Sequence, residues 1–252
     1  MRIVQRNSTT GYYHSLHSKN FLTFYTKPDE WASKSKPNLV ICPNNLCTEN
    51  LIKQGVPKNR IKTITDFQRE KFLEFSFEKK FNKKLLIVLS LFDTINFELL
   101  TKINNINYYL DSQLNIKIKL RPHPYTNKNN ILKKLNLKKL PSNWDWSSND
   151  LKSDLKESYC VISMFSSIAT DAILSNNILL TLESELNVGE NFLDNFVNEF
   201  PILKSTSSND LKKKISEIFL TNIDTFKNEF QLIKNKILLN VQKDNYKKVL
   251  ID

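Results

Sequence analysis

Apolar and polar residues alternate with two different periods from residue 84 onward. Short apolar runs, typical of strands buried on both faces, are separated by stretches whose apolar residues recur every three or four positions, as on one helix face. The predicted strands are Lys84–Ser90, Asn115–Leu120, Cys160–Ser163, Ile178–Leu182 and Leu203–Ser205, with Trp144–Ser147 as a short strand or a loop. The predicted helices are Phe97–Gln113, Lys128–Leu137, Asn149–Glu157, Ser166–Ser175, Leu211–Phe219 and Phe226–Leu239. This alternation predicts an α/β fold with a doubly wound, mostly parallel sheet.

The first eighty residues carry a weaker pattern. Asn38–Cys42 predicts a strand, Thr48–Gln54 a helix that Gly55 ends, and Ile61–Ile64 a further strand, whereas Gly11 to Trp31 is rich in loop signals. We therefore expect three parts: an incomplete amino-terminal α/β segment with a linker over residues 1–80, a complete Rossmann-like domain over 81–225, and a closing helix over 226–252.

The net charge of +11 makes an anionic ligand or surface a candidate partner. The lysines are spread over many helices, as at Lys133–Lys134 and Lys212–Lys214, and do not form one block. This distribution favours a solvated surface over a nucleic-acid patch, so we expect no nucleic-acid partner. A peripheral contact with anionic lipid headgroups at the inner face of the cell membrane stays open.

Cysteine and glycine usage exclude several kinds of site. Cys42, Cys47 and Cys160 cannot pair completely and lack a second ligand pair, so we expect no metal centre and a reducing, cytoplasmic setting. With glycine only at positions 11, 55 and 189, a Gly-x-Gly-x-x-Gly fingerprint and a P-loop are excluded. A nucleotide would therefore have to bind without a glycine-rich phosphate cradle.

The strand that ends at Leu120 runs directly into Arg121-Pro122-His123-Pro124. Two prolines stop the hydrogen-bonded ladder and stiffen the loop. A guanidinium and an imidazole are thus placed at the carboxyl end of a strand, where ligands bind in open α/β sheets. A structural turn with surface side chains is the competing interpretation.

A second candidate is the strand, hydroxyl-rich turn and helix at residues 161–172. Ser166 or Ser167 would cap the helix, whose free N–H groups and adjacent hydroxyls suit a phosphate. Ordinary helix capping by serine is the competing interpretation. Both candidate turns follow strands of one predicted sheet, so we expect them side by side at its carboxyl edge.

The Leu-Arg-Pro-His-Pro turn, followed by Val161-Ile162-Ser163-x-x-Ser166-Ser167 and an acid-containing helix, resembles the carboxyl-terminal half of GT-B glycosyltransferases. The nearest resemblance is to surface-polysaccharide enzymes of the sialyltransferase-like, Kdo-transferase-like and CDP-glycerol-transferase-like kinds. The resemblance implies that His123 and Pro124 contact the base, ribose or phosphate of a CMP- or CDP-linked donor. It also implies that Ser166 and Ser167 hold the phosphate, with Arg121 as a second phosphate partner.

The amino-terminal part resembles the same families through residues 37–42, 51–57 and Arg60–Ile61, and through a Gly11-x-x-His14 segment that would face the acceptor. There are two departures from the family pattern: Asp171 replaces a frequent Glu, and Asn176-Asn177-Ile178 replaces Gly-x-Pro. Because few residues precede the linker, we expect a shortened amino-terminal part.

Four further side chains are candidates. His14 could act as the general base for an acceptor hydroxyl, although an idle loop histidine fits as well. Glu183, or Glu185, could accept hydrogen bonds from ribose hydroxyls after the strand Ile178–Leu182, or be simply solvated. Asp93 follows the first strand of the sheet and is a weaker candidate for donor or acceptor contact.

The resemblance therefore implies a glycosyltransferase that moves a sugar from a nucleotide-activated, cytidine-linked donor to a glycan or lipid-linked acceptor. No Asp-x-Asp motif occurs, so we expect no metal and no other cofactor. Two alternatives stay open: transfer of a polyol phosphate from a CDP-linked donor, and a noncatalytic nucleotide- or glycan-binding remnant.

Overall fold

A computed structural model describes residues 9–12, 30–31, 36–43, 45–63, 72, 82–185, 200, 204–221 and 224–238. The chain forms two compact units, one comprising residues 1–71 and 235–252 and the other residues 72–234. In the described part of the chain, no helix is long and apolar enough to cross a membrane.

The described strands of the first unit are β1 (Thr10–Tyr12), β2 (Leu39–Cys42) and β3 (Ile61–Thr63), parallel and in that order. The helix α1 (Asn45–Lys53) connects β2 to β3. It ends at Lys53, one residue before the predicted end. Gly55 closes it as predicted, because its φ of 95° allows the N–H groups of Gly55 and Val56 to bond back to Ile52 and Leu51. The pattern had indicated a loop where β1 lies, because a three-residue strand containing Gly11 shows no period.

The second unit contains one parallel sheet. Its described strands are β4 (Lys84–Val88), β5 (Lys117–Arg121), β6 (Trp144–Trp146), β7 (Cys160–Ser163), β8 (Ile178–Leu182) and β9 (Lys204–Ser205). Their order is β6-β5-β4-β7-β8-β9, and every pair is parallel. Successive strands are thus added on one side of β4 and then on the other, which is the doubly wound arrangement that the sequence predicted.

Helices alternate with these strands. Those described are α2 (Asp93–Asn105), α3 (Asn107–Ser112), α4 (Lys128–Lys134), α5 (Leu151–Glu157), α6 (Ile168–Leu174), α7 (Ser208–Leu220) and α8 (Asp224–Leu238). Asp150 caps α5 through its side chain, as the sequence indicates. The cap of α7 is Ser207, one residue before the Ser208-Asn209-Asp210 segment that the sequence indicates as the cap.

The centre of the core is β4, where Leu85, Leu86, Ile87 and Val88 are fully buried. The strands β7 and β8 are buried along their whole length too. A strand covered by helices on both faces has no solvent side, so its sequence is a continuous apolar run. In β5, by contrast, buried Ile118 and Leu120 alternate with more exposed residues, as the period of two had indicated.

The predicted helix over 97–113 is two helices, with a break at Ile106. The break places Asn107 against the start of β6. Its side-chain oxygen accepts hydrogen bonds from the Trp144 indole N–H (2.6 Å) and the Asn143 amide (3.0 Å), and its own amide donates to Asn143 (3.1 Å). The apolar period does not show this break, and the residues that Asn107 contacts lie some 36 positions away in the sequence.

Asparagine takes the place of glycine at helix ends. Asn136 after α4 and Asn176 after α6 have φ values of 55° and 57°, in the left-handed region that asparagine tolerates better than most residues. After α6, the N–H groups of Asn176 and Asn177 bond back to Ile173 and Ala172. Asn176 and Asn177 thus end α6 with the hydrogen bonds that a glycine-terminated helix would make.

A buried carboxylate ties the end of β5 to α5. Asp154 is fully buried, and its Oδ2 accepts hydrogen bonds from Arg121 Nη1 (2.7 Å) and Ser147 Oγ (2.5 Å). Lys119 Nζ lies 3.7 Å from the other carboxylate oxygen. Because Arg121 is the last residue of β5, this cluster anchors the strand end from which the following turn starts.

A second charged cluster ties the end of β8 to α2. Glu98 accepts hydrogen bonds from Ser184 Oγ (2.7 Å) and the Glu185 backbone N–H (2.8 Å). Lys102 Nζ lies 3.0 Å from Glu98 and 3.1 Å from Glu185. Partial burial opposes ionisation of Glu98, but the hydrogen bonds from Glu185 and Ser184 and the Lys102 charge together lower its pKa.

Replacing Asp154 by alanine should destabilise the second unit by about 3 kcal/mol, because it leaves a partly buried guanidinium without its carboxylate. Urea unfolding followed by circular dichroism measures this loss. Asp145→Ala, which removes an exposed carboxylate on the neighbouring strand β6, is the control and should have a smaller effect. A loss no larger than that of the control would show that the Arg121–Asp154 pair contributes little.

Replacing Glu98 by glutamine should reduce the free energy of unfolding most at neutral pH. A carboxyl group whose pKa is lowered by folding stabilises the protein above its unfolded pKa, and this stabilisation disappears as pH falls through the folded pKa. The difference between wild type and Glu98→Gln should therefore shrink below about pH 4. Urea titrations between pH 7 and pH 3 test this, with exposed Glu217→Gln as the control. A difference that does not vary with pH would contradict the assignment.

Candidate functional site

The predicted turns lie at the same edge of the second unit's sheet. Both follow strands that run parallel to β4, and Val88 at the end of β4 pairs with Arg121 on one side and with Ser163 on the other. We expected the two turns to lie side by side. They are not direct neighbours, because β4 lies between the strands that lead to them. Two inter-strand spacings separate the strand ends by about 10 Å, a distance that a nucleotide can span.

The first turn is closed and stiff. The Thr126 N–H donates to the His123 carbonyl (2.8 Å), so residues 123–126 form a β-turn with Pro124 at its second position. His123 Nδ1 accepts a hydrogen bond from the Tyr125 backbone N–H (3.3 Å). In the neutral imidazole the proton is then on Nε2, which leaves an N–H donor on the other side of the ring. Pro124 is exposed.

The loop after β4 is held beside this turn. The Ser90 backbone N–H donates a hydrogen bond to Oδ1 of the buried Asn96 side chain (2.7 Å). The Ser90 carbonyl accepts a hydrogen bond from Asn96 Nδ2 (2.9 Å). Thr126 Oγ1 lies 3.5 Å from the same Ser90 carbonyl oxygen. The loops after β4 and β5 are thus connected. The sequence gives no signal for Asn96 or Thr126, because an amide or a hydroxyl shortly after a strand end is too common to be informative.

The serine turn has a different geometry from the one predicted. The helix α6 begins at Ile168, and Ser167 occupies the capping position without a side-chain capping bond. Ser166 Oγ accepts a hydrogen bond from the Ile168 N–H (3.3 Å). Phe165 has a φ of 59°, a strained value for a bulky residue. Capping thus accounts for the Ser166 hydroxyl, whereas the Ser167 hydroxyl makes no capping bond.

The carboxylates after β8 have ion-pair partners within the protein. Glu183 Oε1 lies 2.7 Å from Lys204 Nζ on β9, and Glu185 belongs to the cluster with Lys102. Glu183 is nevertheless about half exposed at the carboxyl edge. Its predicted contact with ribose would have to compete with Lys204.

Arg121 has a structural partner that the sequence analysis did not foresee. Its Nη1 donates to buried Asp154 and also to the Asn149 carbonyl (2.9 Å). These bonds direct the guanidinium toward α5, so a contact with phosphate stays a prediction. His14 lies outside the described residues; of its segment, only Gly11 and Tyr12 are described, in β1.

The cysteines are buried thiols. Burial raises the pKa of Cys42 to about 11, although a hydrogen bond with Thr48 acts in the opposite direction, and burial raises the pKa of Cys160 as well. Thiols that stay protonated are poor nucleophiles and metal ligands. Among the described residues, no group of three His, Cys, Asp or Glu side chains could hold a metal ion.

A cleft of about 840 Å³ opens beside α2, Lys134 and the start of α7. This volume suits a small molecule. Its lining includes neither the His123 turn nor the serine turn. The candidate site is therefore assigned from the chemistry at the sheet edge and not from the size of this concavity.

No family model and no curated protein matches the sequence, but solved structures match the fold. The UDP-GlcNAc 2-epimerase of Methanocaldococcus jannaschii, solved with UDP-GlcNAc and UDP, is 16% identical with a TM-score of 0.54, covering 78% of this chain and 61% of that one. A mutant of S. aureus TarM, solved with fondaparinux, alpha-GlcNAc-glycerol and UDP, is 18% identical with a TM-score of 0.58, covering 96% and 50%. Apo OtsA is 9% identical with a TM-score of 0.53, covering 98% and 67%.

The chain thus spans only half to three-fifths of the epimerase and TarM chains that it resembles. At these identities the likeness concerns the fold alone. Together with the strand order, it confirms the fold class: the chain has a Rossmann-like GT-B α/β fold. The finer resemblance to sialyltransferase-like, Kdo-transferase-like and CDP-glycerol-transferase-like enzymes stays a prediction.

Proposed function

We propose that this protein transfers a sugar from a nucleotide-activated donor to a glycan or lipid-linked acceptor. One observation carries the proposal: the His123 and serine turns lie at one sheet edge, on either side of the strand at which the strand order reverses. In open α/β sheets, ligands bind in the crevice at this position.

In this proposal the donor nucleotide lies across the end of β4. Its base and ribose lie toward His123 and Pro124, and its phosphate toward Ser166 and Ser167. The Nε2–H group of His123 is free to donate to an oxygen of the nucleotide, and the Ser167 hydroxyl, which makes no capping bond, is free to donate to phosphate. Glu183 would accept hydrogen bonds from ribose hydroxyls.

The reaction would be direct displacement at the anomeric carbon. The acceptor hydroxyl loses its proton to a general base and forms the new glycosidic bond, while the bond between the sugar and the phosphate oxygen breaks. Hydrogen-bond donors at the phosphate stabilise the charge of the departing nucleotide. His14 is the proposed base, on the family resemblance alone. Because the sequence lacks an Asp-x-Asp motif, no metal is assigned to the leaving group.

We expect the base of the donor nucleotide to be a pyrimidine. The motif resemblance favours cytidine, whereas the epimerase and TarM structures contain UDP. Both bases are pyrimidines, so a pyrimidine nucleotide is the shared expectation, and cytidine is the narrower one.

Titration calorimetry with CMP, CDP, UDP and GDP tests the site and the base together. We expect the pyrimidine nucleotides to bind more tightly than GDP, and CMP or CDP more tightly than UDP. His123→Ala should remove a hydrogen bond to the base or ribose and weaken nucleotide binding by up to about tenfold. Circular dichroism should show an unchanged fold, because the side chain lies on a loop.

Running these titrations in excess EDTA tests the metal assignment as well. Binding that returns only when manganese is added would contradict it. Tighter binding of UDP than of CMP or CDP would show that the donor base is uridine and would leave the proposed function unchanged. Absence of binding by all four nucleotides would overturn the proposed function.

Replacing both Ser166 and Ser167 by glycine should distinguish phosphate binding from helix capping. Glycine is a tolerable cap, so the free energy of unfolding should fall only by a few tenths of a kcal/mol. Loss of hydrogen bonds to a charged phosphate should weaken nucleotide binding about tenfold or more per bond. Cytidine or uridine, which lack phosphate, should bind almost as tightly as before.

The informative comparison is between nucleotide and nucleoside. If both ligands lose affinity equally, the substitutions disturb the crevice as a whole. If neither does, Ser166 and Ser167 have no role in phosphate binding.

A further inference from the structure

Among the described residues at the carboxyl edge of the sheet, the most exposed aromatic side chain is Tyr125, with 85% of its surface accessible. It occupies the third position of the β-turn that begins at His123. The turn hydrogen bond and Pro124 restrain the backbone on which the ring is mounted. A rigidly mounted, solvent-facing ring offers apolar area to a ligand at little cost in conformational entropy.

The Tyr125 ring is paired with the imidazole of His123. The ring centroids are 5.6 Å apart, with an angle of 35° between the planes. The Tyr125 backbone N–H donates to His123 Nδ1 (3.3 Å). The two rings therefore belong to one local unit, which presents a flat apolar face beside the Nε2–H donor.

The neighbouring loop adds further exposed apolar surface. Leu91 and Phe92, which follow β4, are 52% and 60% exposed, and Ser90 in the same loop is in contact with Thr126. Exposed apolar side chains collected at a ligand-binding edge are more informative than the same residues scattered over a surface.

We infer that Tyr125 is the stacking surface for the nucleobase of the donor, an inference that rests on the proposed function. A nucleobase binds to a flat apolar face and to a hydrogen-bonding group at its edge. The Tyr125 ring supplies the face, and the Nε2–H group of His123 supplies a donor. The strands that lead to the two turns end about two inter-strand spacings apart, roughly 10 Å. The proposal places the phosphate at Ser166 and Ser167 and the base on Tyr125.

Stacking predicts a particular pattern of specificity. Every base has a π face, so stacking strengthens binding with little dependence on the edge of the base. Tyr125 should therefore raise the affinity for CMP and UDP by the same factor. The choice between them would depend on other residues that hydrogen-bond to the base edge.

The test is titration calorimetry of wild type, Tyr125→Ala and Tyr125→Phe with CMP, UDP, cytidine and ribose 5-phosphate. Tyr125→Ala should weaken the binding of CMP, UDP and cytidine about tenfold each. The ratio of the CMP affinity to the UDP affinity should stay unchanged. Ribose 5-phosphate, which has no base, should bind equally well to wild type and variant. Tyr125→Phe should bind like wild type, because it keeps the ring.

Tyr108→Ala is the matched control. Tyr108 is 82% exposed, on α3, which precedes β5 and so lies toward the opposite edge of the sheet. Its removal should leave every affinity unchanged. Because both tyrosines are almost fully exposed, neither substitution should affect folding, which circular dichroism verifies.

The failures are distinguishable. If wild type binds no nucleotide, the proposed function falls, and this inference falls with it. If wild type binds but Tyr125→Ala binds equally well, or loses affinity for ribose 5-phosphate too, the stacking role alone is overturned. Unchanged nucleotide affinity together with weaker sedimentation on phosphatidylserine vesicles would overturn stacking in favour of a membrane contact by this edge.

Discussion

Burial of β4 on both faces is the constraint on which the second unit depends. Four consecutive side chains of this strand are fully buried, with β5 and β7 paired to it on either side. A strand of this kind can lie only in the middle of a sheet covered by helices. Its central position brings the ends of β5 and β7 to one edge, and so brings the His123 and serine turns within reach of one ligand.

Polar contacts then position the loops at that edge. Asp154 holds Arg121 at the end of β5, Asn96 holds Ser90 after β4, and Glu98 holds the residues after β8. Each contact joins the end of a strand to a helix of the same unit. A sheet edge built in this way is restrained in the absence of a ligand, so a ligand bound there would cost less loop entropy.

The scarcity of glycine has two consequences. The left-handed residue is Asn136 after α4 and Asn176 after α6, whereas glycine has this role after α1. Phosphate binding is assigned to hydroxyl side chains because no glycine-rich loop is present. The strained φ of Phe165 lies at the serine turn, where a glycine would relieve it. Strain of this kind is characteristic of functional turns, and it supports the site assignment at the end of β7.

The sequence by itself determined the elements of the carboxyl-terminal sheet, its fold class and the turns that carry candidate chemistry. Apolar periods and proline stops report the burial and backbone of their own segment, so they can be interpreted locally. Only the tertiary structure decided which strands are neighbours, that β4 separates the two turns, and that Arg121 pairs with Asp154. It also decided that Asn107 interrupts a periodic helix and that Tyr125 is exposed beside His123. Each of these features depends on packing or on the distance between residues in space, which a one-dimensional pattern does not record.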